Sequence, residues 1–312
     1  MSANRVSGGT AAALLCAAVL AAASCHGGPK PQDTTFSAPE DGVRALTAAV
    51  AAGKVEEVAR LFGTDGRELI DTSDPAEARR NREVFRAAMA ERWRLEDRDG
   101  RGKVLLVGNE EWPFPVPLVR DAAGWRFDAA AGREEILARR IGRNELAAIQ
   151  ACRTYVAAQR LYAREGHDGK KAGIYARTFR SDPGKKNGLY WPAARGEKLS
   201  PIGDLLAEAA RPERVQRPDD GQPAPFHGYY FRILTAQGTD APGGAKTYVV
   251  NGEMTGGFAL MAWPARYDVT GVMTFLVNQD GVVHEKDLGA ATGDAAAAIS
   301  AYDPDPSWTA VR

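Results

Sequence analysis

Four polar residues in the second half of the chain, His227, Glu253, Asp280 and Glu285, are the strongest candidates for chemistry. An imidazole titrates near neutrality and a neighbouring carboxylate can orient it, so His227, Asp280 and Glu285 on one sheet rim would suit a hydrolase. Each also has a structural reading. His227, beside Gly228, suits a hydrogen-bonded strand start, and Asp280 suits a turn. Acid–base work by paired carboxylates further requires a separation that sequence spacing does not define.

Other chemistries lack their spacing. His167, His227 and His284 are far apart and form no HxH or HExxH arrangement, so no metal site is expected. His26 lies near the N-terminus. Residues 244–247 read Gly-Ala-Lys-Thr but miss the upstream glycine of a phosphate loop and lead into a strand. No Gly-x-Ser-x-Gly elbow occurs, and Ser300 and Ser307 fall in terminal turns. Cys152 reads as a small core hydrophobe. No cofactor is expected.

The elements that would position these residues are legible as an α+β pattern. In 226–288 the runs 229–235, 247–250, 258–263, 272–277 and 282–286 are rich in Tyr, Phe, Val and Thr and end in Gly, Pro, Asn or Asp. They predict one antiparallel sheet, closed by a tight hairpin at Asp280-Gly281. Upstream, Asn144 caps a helix to Ala163 carrying Leu146, Ile149, Cys152, Tyr155 or Val156, and Tyr162 on one side.

The first half repeats the scheme. Ser37 and Glu40 form a capping box that starts a helix ending at Gly53, a second helix covers 55–62, and a third runs from Asp74 and Pro75 toward Trp93, with Phe85, Met89 and Trp93 inward. Strands follow over 94–98, 103–107, 111–120 and 125–129. Pro113, Pro115 and Pro117 alternate, which strips donors from one edge and leaves Trp112, Phe114, Val116 and Leu118 opposite. A short connecting helix over 132–142 places the boundary near Gly142. The predicted organisation is residues 1–24 export signal, 25–36 tether, 37–142 a cone-like α+β domain, and 143–312 a helix plus antiparallel sheet. Trp93, Trp112, Phe114 and Trp125 are the candidate pocket residues of the first domain.

Residues 165–225 are turn-rich, with one further helix expected over 200–210. Lys185, Lys186, Tyr190 and Trp191 make this stretch a candidate partner surface; the alternative is that the aromatic cluster pins the loop to the sheet.

The 312 residues are 44% hydrophobic and 26% charged, enough for one large or two ordinary cores. Arg5, the apolar run 11–23 and the small residues before Cys25 read as an export signal, too short to span a bilayer. Residues 22–25, Ala-Ala-Ser-Cys, resemble the lipobox of bacterial lipoproteins, with Ala22 where that motif most often has Leu; Cys25 is the expected lipidation site. The polar Gly/Pro stretch after it suits a tether. Once the signal leaves with Cys16 and Cys25 is acylated, Cys152 has no disulfide partner. Basic and acidic side chains number 40 each, so no field concentrated enough for nucleic acid exists.

Several segments carry a family resemblance: Gly142 to Leu146 (GRNEL), Gly188 to Pro192 (GLYWP), His227 to Gly238 (HGYYFRILTAQG), Ala241 to Ala245, Gly256 to Leu260, and Gly271 through Val282. Together they resemble a bacterial exported family, domain of unknown function 2950. The resemblance implies an envelope protein and no established activity. The first half is also similar to the nuclear-transport-factor-like cones, through residues 52–55, Leu61-Phe62 and the Gly124 to Phe127 strand. The second half is similar to pilin heads, but its helix is interrupted by Glu145, Gln150, Arg153, Gln159 and Arg160 and cannot serve as a polymerising N-terminal helix.

These readings predict an exported, lipid-anchored, non-enzymatic interaction module of the cell envelope, with an envelope protein as partner. The alternatives are a periplasmic binder of a small apolar or peptide ligand in the first domain's cone, and a hydrolase using His227, Asp280 and Glu285.

Overall fold

The computed structural model describes residues 34–63, 66–70, 75–98, 100, 102–193, 196–202 and 225–311. The export segment, Cys25 and most of the tether lie outside these residues, as does nearly all of the helix expected over 200–210.

Helices α1 (Pro39–Ala51), α2 (Val55–Leu61), α3 (Gly66–Ile70) and α4 (Pro75–Glu91) come first. Ser37 is not the cap of α1. Ala38 occupies that position without a side-chain acceptor, and the Asp41 carboxylate accepts its N–H at 3.2 Å instead. The short α3 is an element the apolar spacing did not announce. Phe85 and Met89 face inward from α4 as expected, but Trp93 belongs to the following strand.

Strands β1 (Trp93–Arg98), β2 (Gly102–Val107), β3 (Trp112–Pro113), β4 (Leu118–Asp121) and β5 (Gly124–Phe127) form an antiparallel sheet in the order β1-β2-β4-β5, with β3 also on β2. The strand expected over 111–120 is two pieces. Phe114 N–H still reaches Leu105 O at 2.7 Å, but Pro115 and Pro117 have no N–H to give, and pairing resumes at Leu118. The edge reading holds for β3, whose strand partner among the described residues is β2 alone, but not for β4, which lies between β2 and β5. Val116 and Leu118 are buried, whereas Trp112 stays 46% exposed. Val43, Leu46, Phe62, Met89, Leu105, Leu118 and Phe127 make a first core between α1, α2, α4 and this sheet.

A single helix, α5 (Ala129–Ala163), follows. Asp128 caps it by accepting Ala131 N–H at 3.2 Å. The break expected at Gly142 and the cap expected at Asn144 are absent, for the helix runs through both. Asn144 instead donates to Thr270 O at 2.8 Å, and Glu145 accepts the N–H groups of Val272 and Met273 at 2.9 and 3.0 Å. Ile149, Cys152, Tyr155, Val156 and Tyr162 are buried as the spacing predicts; Leu146 is 68% exposed.

The last part is a second antiparallel sheet, β14-β13-β12-β11-β6, built from β6 (Tyr229–Leu234), β11 (Ala259–Pro264), β12 (Met273–Asn278), β13 (Val283–Asp287) and β14 (Thr309–Ala310). The 247–250 run does not join it. It contributes to two ribbons, β7 (Ala236–Gln237) with β8 (Lys246–Thr247), and β9 (Val249–Val250) with β10 (Glu253–Met254). Tyr248, between β8 and β9, turns into the core and donates its hydroxyl to Gln237 at 2.9 Å, which kinks the run out of register. The hairpin at 280–281 forms as expected: Gly281 has φ +87° and donates to Asn278 O at 3.0 Å.

Helix α5 lies on this sheet through β11, β12 and β13, and α6 (Thr292–Ala298) lies against β11. The second core is correspondingly large, with Tyr155, Tyr229, Phe258, Leu260, Phe275 and Tyr302 among its buried residues.

Candidate functional site

The polar candidates are dispersed. His227 precedes β6 at the end of the sheet where Tyr229 pairs Pro264, near the start of β12. Asp280 follows β12 at the opposite end, so a strand length of roughly 17 Å separates the two. His227 sits in a turn at φ +45° with its ring edge-on to Phe226, and is exposed. Asp280 accepts from Asn278 Nδ2 at 3.1 Å, which is turn chemistry. Glu285 lies mid-strand opposite Phe275, and Glu253 sits on the β9–β10 ribbon, 3.6 Å from Lys170 Nζ. The rim needed for a His–carboxylate pair is therefore not assembled. Among the described residues no group of three or more His, Cys, Asp or Glu side chains is arranged to hold a metal.

Cys152 is fully buried, and burial pushes its thiol up to about 12, far from the range of a nucleophile. Gln159, also on α5 and fully buried, is satisfied on three sides: it donates to Tyr155 Oη at 3.0 Å and Ala176 O at 2.7 Å and accepts Ala176 N–H at 2.9 Å. That amide ties the segment after α5 back to the helix.

The same segment holds the candidate partner surface. Trp191 is core rather than surface: it is 5% exposed and its indole N–H donates to Lys198 O at 3.3 Å. Tyr190 is half-buried beneath the Arg180 guanidinium. Lys186 lies over the Trp191 ring, and its carbonyl accepts from Tyr162 Oη at 2.8 Å. Lys185 remains exposed beside Asp182 at 3.1 Å. Most of this cluster secures the loop.

A concave site exists elsewhere. Between α1, α2, α3, α4, the 112–116 stretch and the first half of α5 opens a cleft of about 710 Å³, within the size range of small-molecule sites. Its floor is apolar and aromatic. Phe114 is the hub, 5.2 Å from Phe85, 6.1 Å from Phe62 and 6.3 Å from Trp112, measured between ring centroids. Val50 and Val58 extend the floor along α1 and α2.

Of the four candidate pocket residues, the fold brings Trp112 and Phe114 into the cleft. Trp93 and Trp125 serve the first core instead, Trp125 pairing its backbone with Phe36 at 2.7 and 2.8 Å. The residues missed are Asn81 and Arg82 on α4 and Ile136, Arg140 and Arg143 on α5. The spacing of Ile136, Arg140 and Arg143, at i, i+4 and i+7, puts them on one helix face and could have revealed them, had the helix been read as continuous.

The electrostatics of the cleft are one-sided. Arg82, Arg140 and Arg143 line it, and among the described residues no acidic one does. Nearby charges are already engaged. Arg139 holds Glu135 at 2.7 Å and Pro113 O at 2.8 Å and covers Trp112. Glu111 is held by Arg94 at 2.9 and 3.0 Å, which keeps its carboxyl below the usual range.

Among the described residues no helix is long and apolar enough to cross a membrane. A family model described as a protein of unknown function, DUF2950, matches residues 33–311. No curated protein and no solved structure matches the chain.

Proposed function

The chain belongs to the DUF2950 family, and on that premise we propose that it is an exported, non-enzymatic binding protein of the bacterial cell envelope that holds a small, largely apolar ligand in its first half. The observation that carries this reading is the cleft of about 710 Å³ floored by Val50, Val58, Phe62, Phe85 and Phe114. The lipobox-like stretch ending at Cys25 supports a lipid anchor, and the tether after it would hold the cleft off the membrane. The scattered positions of His227, Glu253, Asp280 and Glu285 favour binding over hydrolysis.

Titrating the purified full chain with N-phenyl-1-naphthylamine, an uncharged apolar fluorophore, tests the reading. Saturable binding near one equivalent is expected, and Val58→Trp, which fills the cleft from α2, should weaken it at least tenfold while the far-UV circular dichroism stays unchanged. Absence of saturable binding by the native protein sinks the proposal. For the anchor, Cys25→Ala should move the protein from the membrane to the soluble fraction.

A further inference from the structure

Resting on that reading, we infer that the ligand is a single-chain amphiphile with an anionic head, of the free fatty-acid type, its tail on the aromatic floor and its carboxylate at Arg82, Arg140 and Arg143.

The argument starts from the helix sequences. A guanidinium on a helix is ordinarily matched by an acid three or four residues away. Around Arg140 those positions are Ile136, Leu137, Arg143 and Asn144; around Arg143 they are Arg139, Arg140, Leu146 and Ala147; around Arg82 they are Ala78, Arg79, Phe85 and Arg86. None is acidic. In the folded chain, too, none of the three makes an ion pair or hydrogen bond with another described residue, whereas their neighbours Arg139 and Arg94 are fully engaged. Three like charges gathered on one apolar cleft repel one another and gain nothing from the floor. They are stabilised by an anion, and a guanidinium fork matches a carboxylate with two parallel hydrogen bonds.

The geometry separates head from tail. Arg82 comes from α4 and the other two from α5, so the cations approach from two walls and are exposed, while Phe62 and Phe114 form the floor. An arginine in such a place keeps its methylenes on apolar surface and its charge at the water boundary. A cation would be repelled there, and a neutral alcohol would leave the guanidinium groups unmatched. Asn81, also in the lining, can donate a further hydrogen bond to an oxygen.

Displacement of bound N-phenyl-1-naphthylamine by dodecanoate, dodecanol and dodecylammonium, each below its aggregation concentration, tests the inference. Dodecanoate is expected to displace the probe at about tenfold lower concentration than dodecanol, the size of a few solvent-screened charge contacts, and dodecylammonium should be the weakest. The triple variant Arg82→Gln, Arg140→Gln, Arg143→Gln should bring dodecanoate to the level of dodecanol, both measured against the variant's own probe affinity. In 1 M NaCl the native protein should lose most of its preference. Equal displacement by all three heads, or a triple variant that keeps the preference, overturns the inference and leaves the apolar binding role standing. If the probe itself fails to bind, or the cleft is covered by a peptide or a second copy of the chain in the purified protein, both readings fall.

Discussion

His284 sits on the half-buried β13, with Tyr302 Oη 3.3 Å from its Nδ1 and Lys286 on the same side of the strand. Burial lowers its pKa below the ordinary histidine value. An unfolded histidine titrates near 6.5, so between that value and the depressed folded one the unfolded chain binds more protons. The stability contributed by the neutral ring is therefore complete above about pH 6.5 and is lost as pH falls through the folded value. The urea midpoint should drop between pH 7 and pH 5, and His284→Gln should flatten that part of the profile. Identical slopes in the two proteins would assign the loss to other groups. Glu111 and Asp121, whose carboxyls are held low by Arg94 and by the Ala123 N–H and Arg126, lose their contribution only in the more acidic carboxylate range. At this scale the sequence was informative about types and poor about roles. Cys152 was readable as core from helical spacing, and Asp280 from turn chemistry. The cleft arginines were not, because their partnership depends on α4 and the middle of α5 converging from stretches about sixty residues apart.

The element that most changes the architecture is α5. Gly142 with Asn144 two residues on reads as a stop and a new cap, since Gly costs a helix about 1 kcal/mol relative to Ala. Tertiary contacts override that cost here. Asp128 caps the beginning, Asn144 and Glu145 bond to the 270–273 stretch from within the helix, and the last four turns are buried on the second sheet. The two interior glycines are not equivalent. A Cβ at Gly142 would meet nothing within 4 Å, and its φ is not positive, so Gly142→Ala should stabilise the protein by about 0.5–1 kcal/mol. A Cβ at Gly132 would stand 2.8 Å from Val116 Cγ2, where the helix crosses the proline stretch, and Gly132→Ala should cost about 1–3 kcal/mol. Chemical denaturation of the two variants checks both signs. Val116→Ala should partly rescue Gly132→Ala, whereas Gly142→Ala should be indifferent to it; a destabilised Gly142→Ala would show that the glycine has a need this geometry does not explain. The strands were legible in place but not in partnership. Alternation and turn residues locate 229–234, 259–264 and 273–278 to within a residue or two, yet nothing local reveals that Tyr248 turns inward and takes the 247–250 run out of the sheet.

At the scale of the whole chain, two hydrophobic cores share one helix. Ala129 packs on the first, and Ala148 through Tyr162 enter the second. The cores are unequal: among the described residues the first draws on nine buried ones around an open cleft, the second on twenty-seven, so apolar burial stabilises the second far more. Loss of the first core would expose the beginning of α5 and leave its buried end in place. Calorimetry should therefore resolve two transitions, the earlier belonging to the cleft-bearing half. This arrangement makes the location of the ligand measurable without a structure of the complex. A ligand that binds only the folded cleft, present at about a hundred times its dissociation constant, adds about 2.7 kcal/mol to the unit that holds it. Dodecanoate should then raise the lower transition and leave the upper one in place, and the arginine triple variant should abolish the shift without moving the ligand-free curve by a comparable amount. If both transitions rise together, the helix couples the cores into one folding unit. If only the upper one rises, the ligand sits on the second sheet and the cleft is not its site.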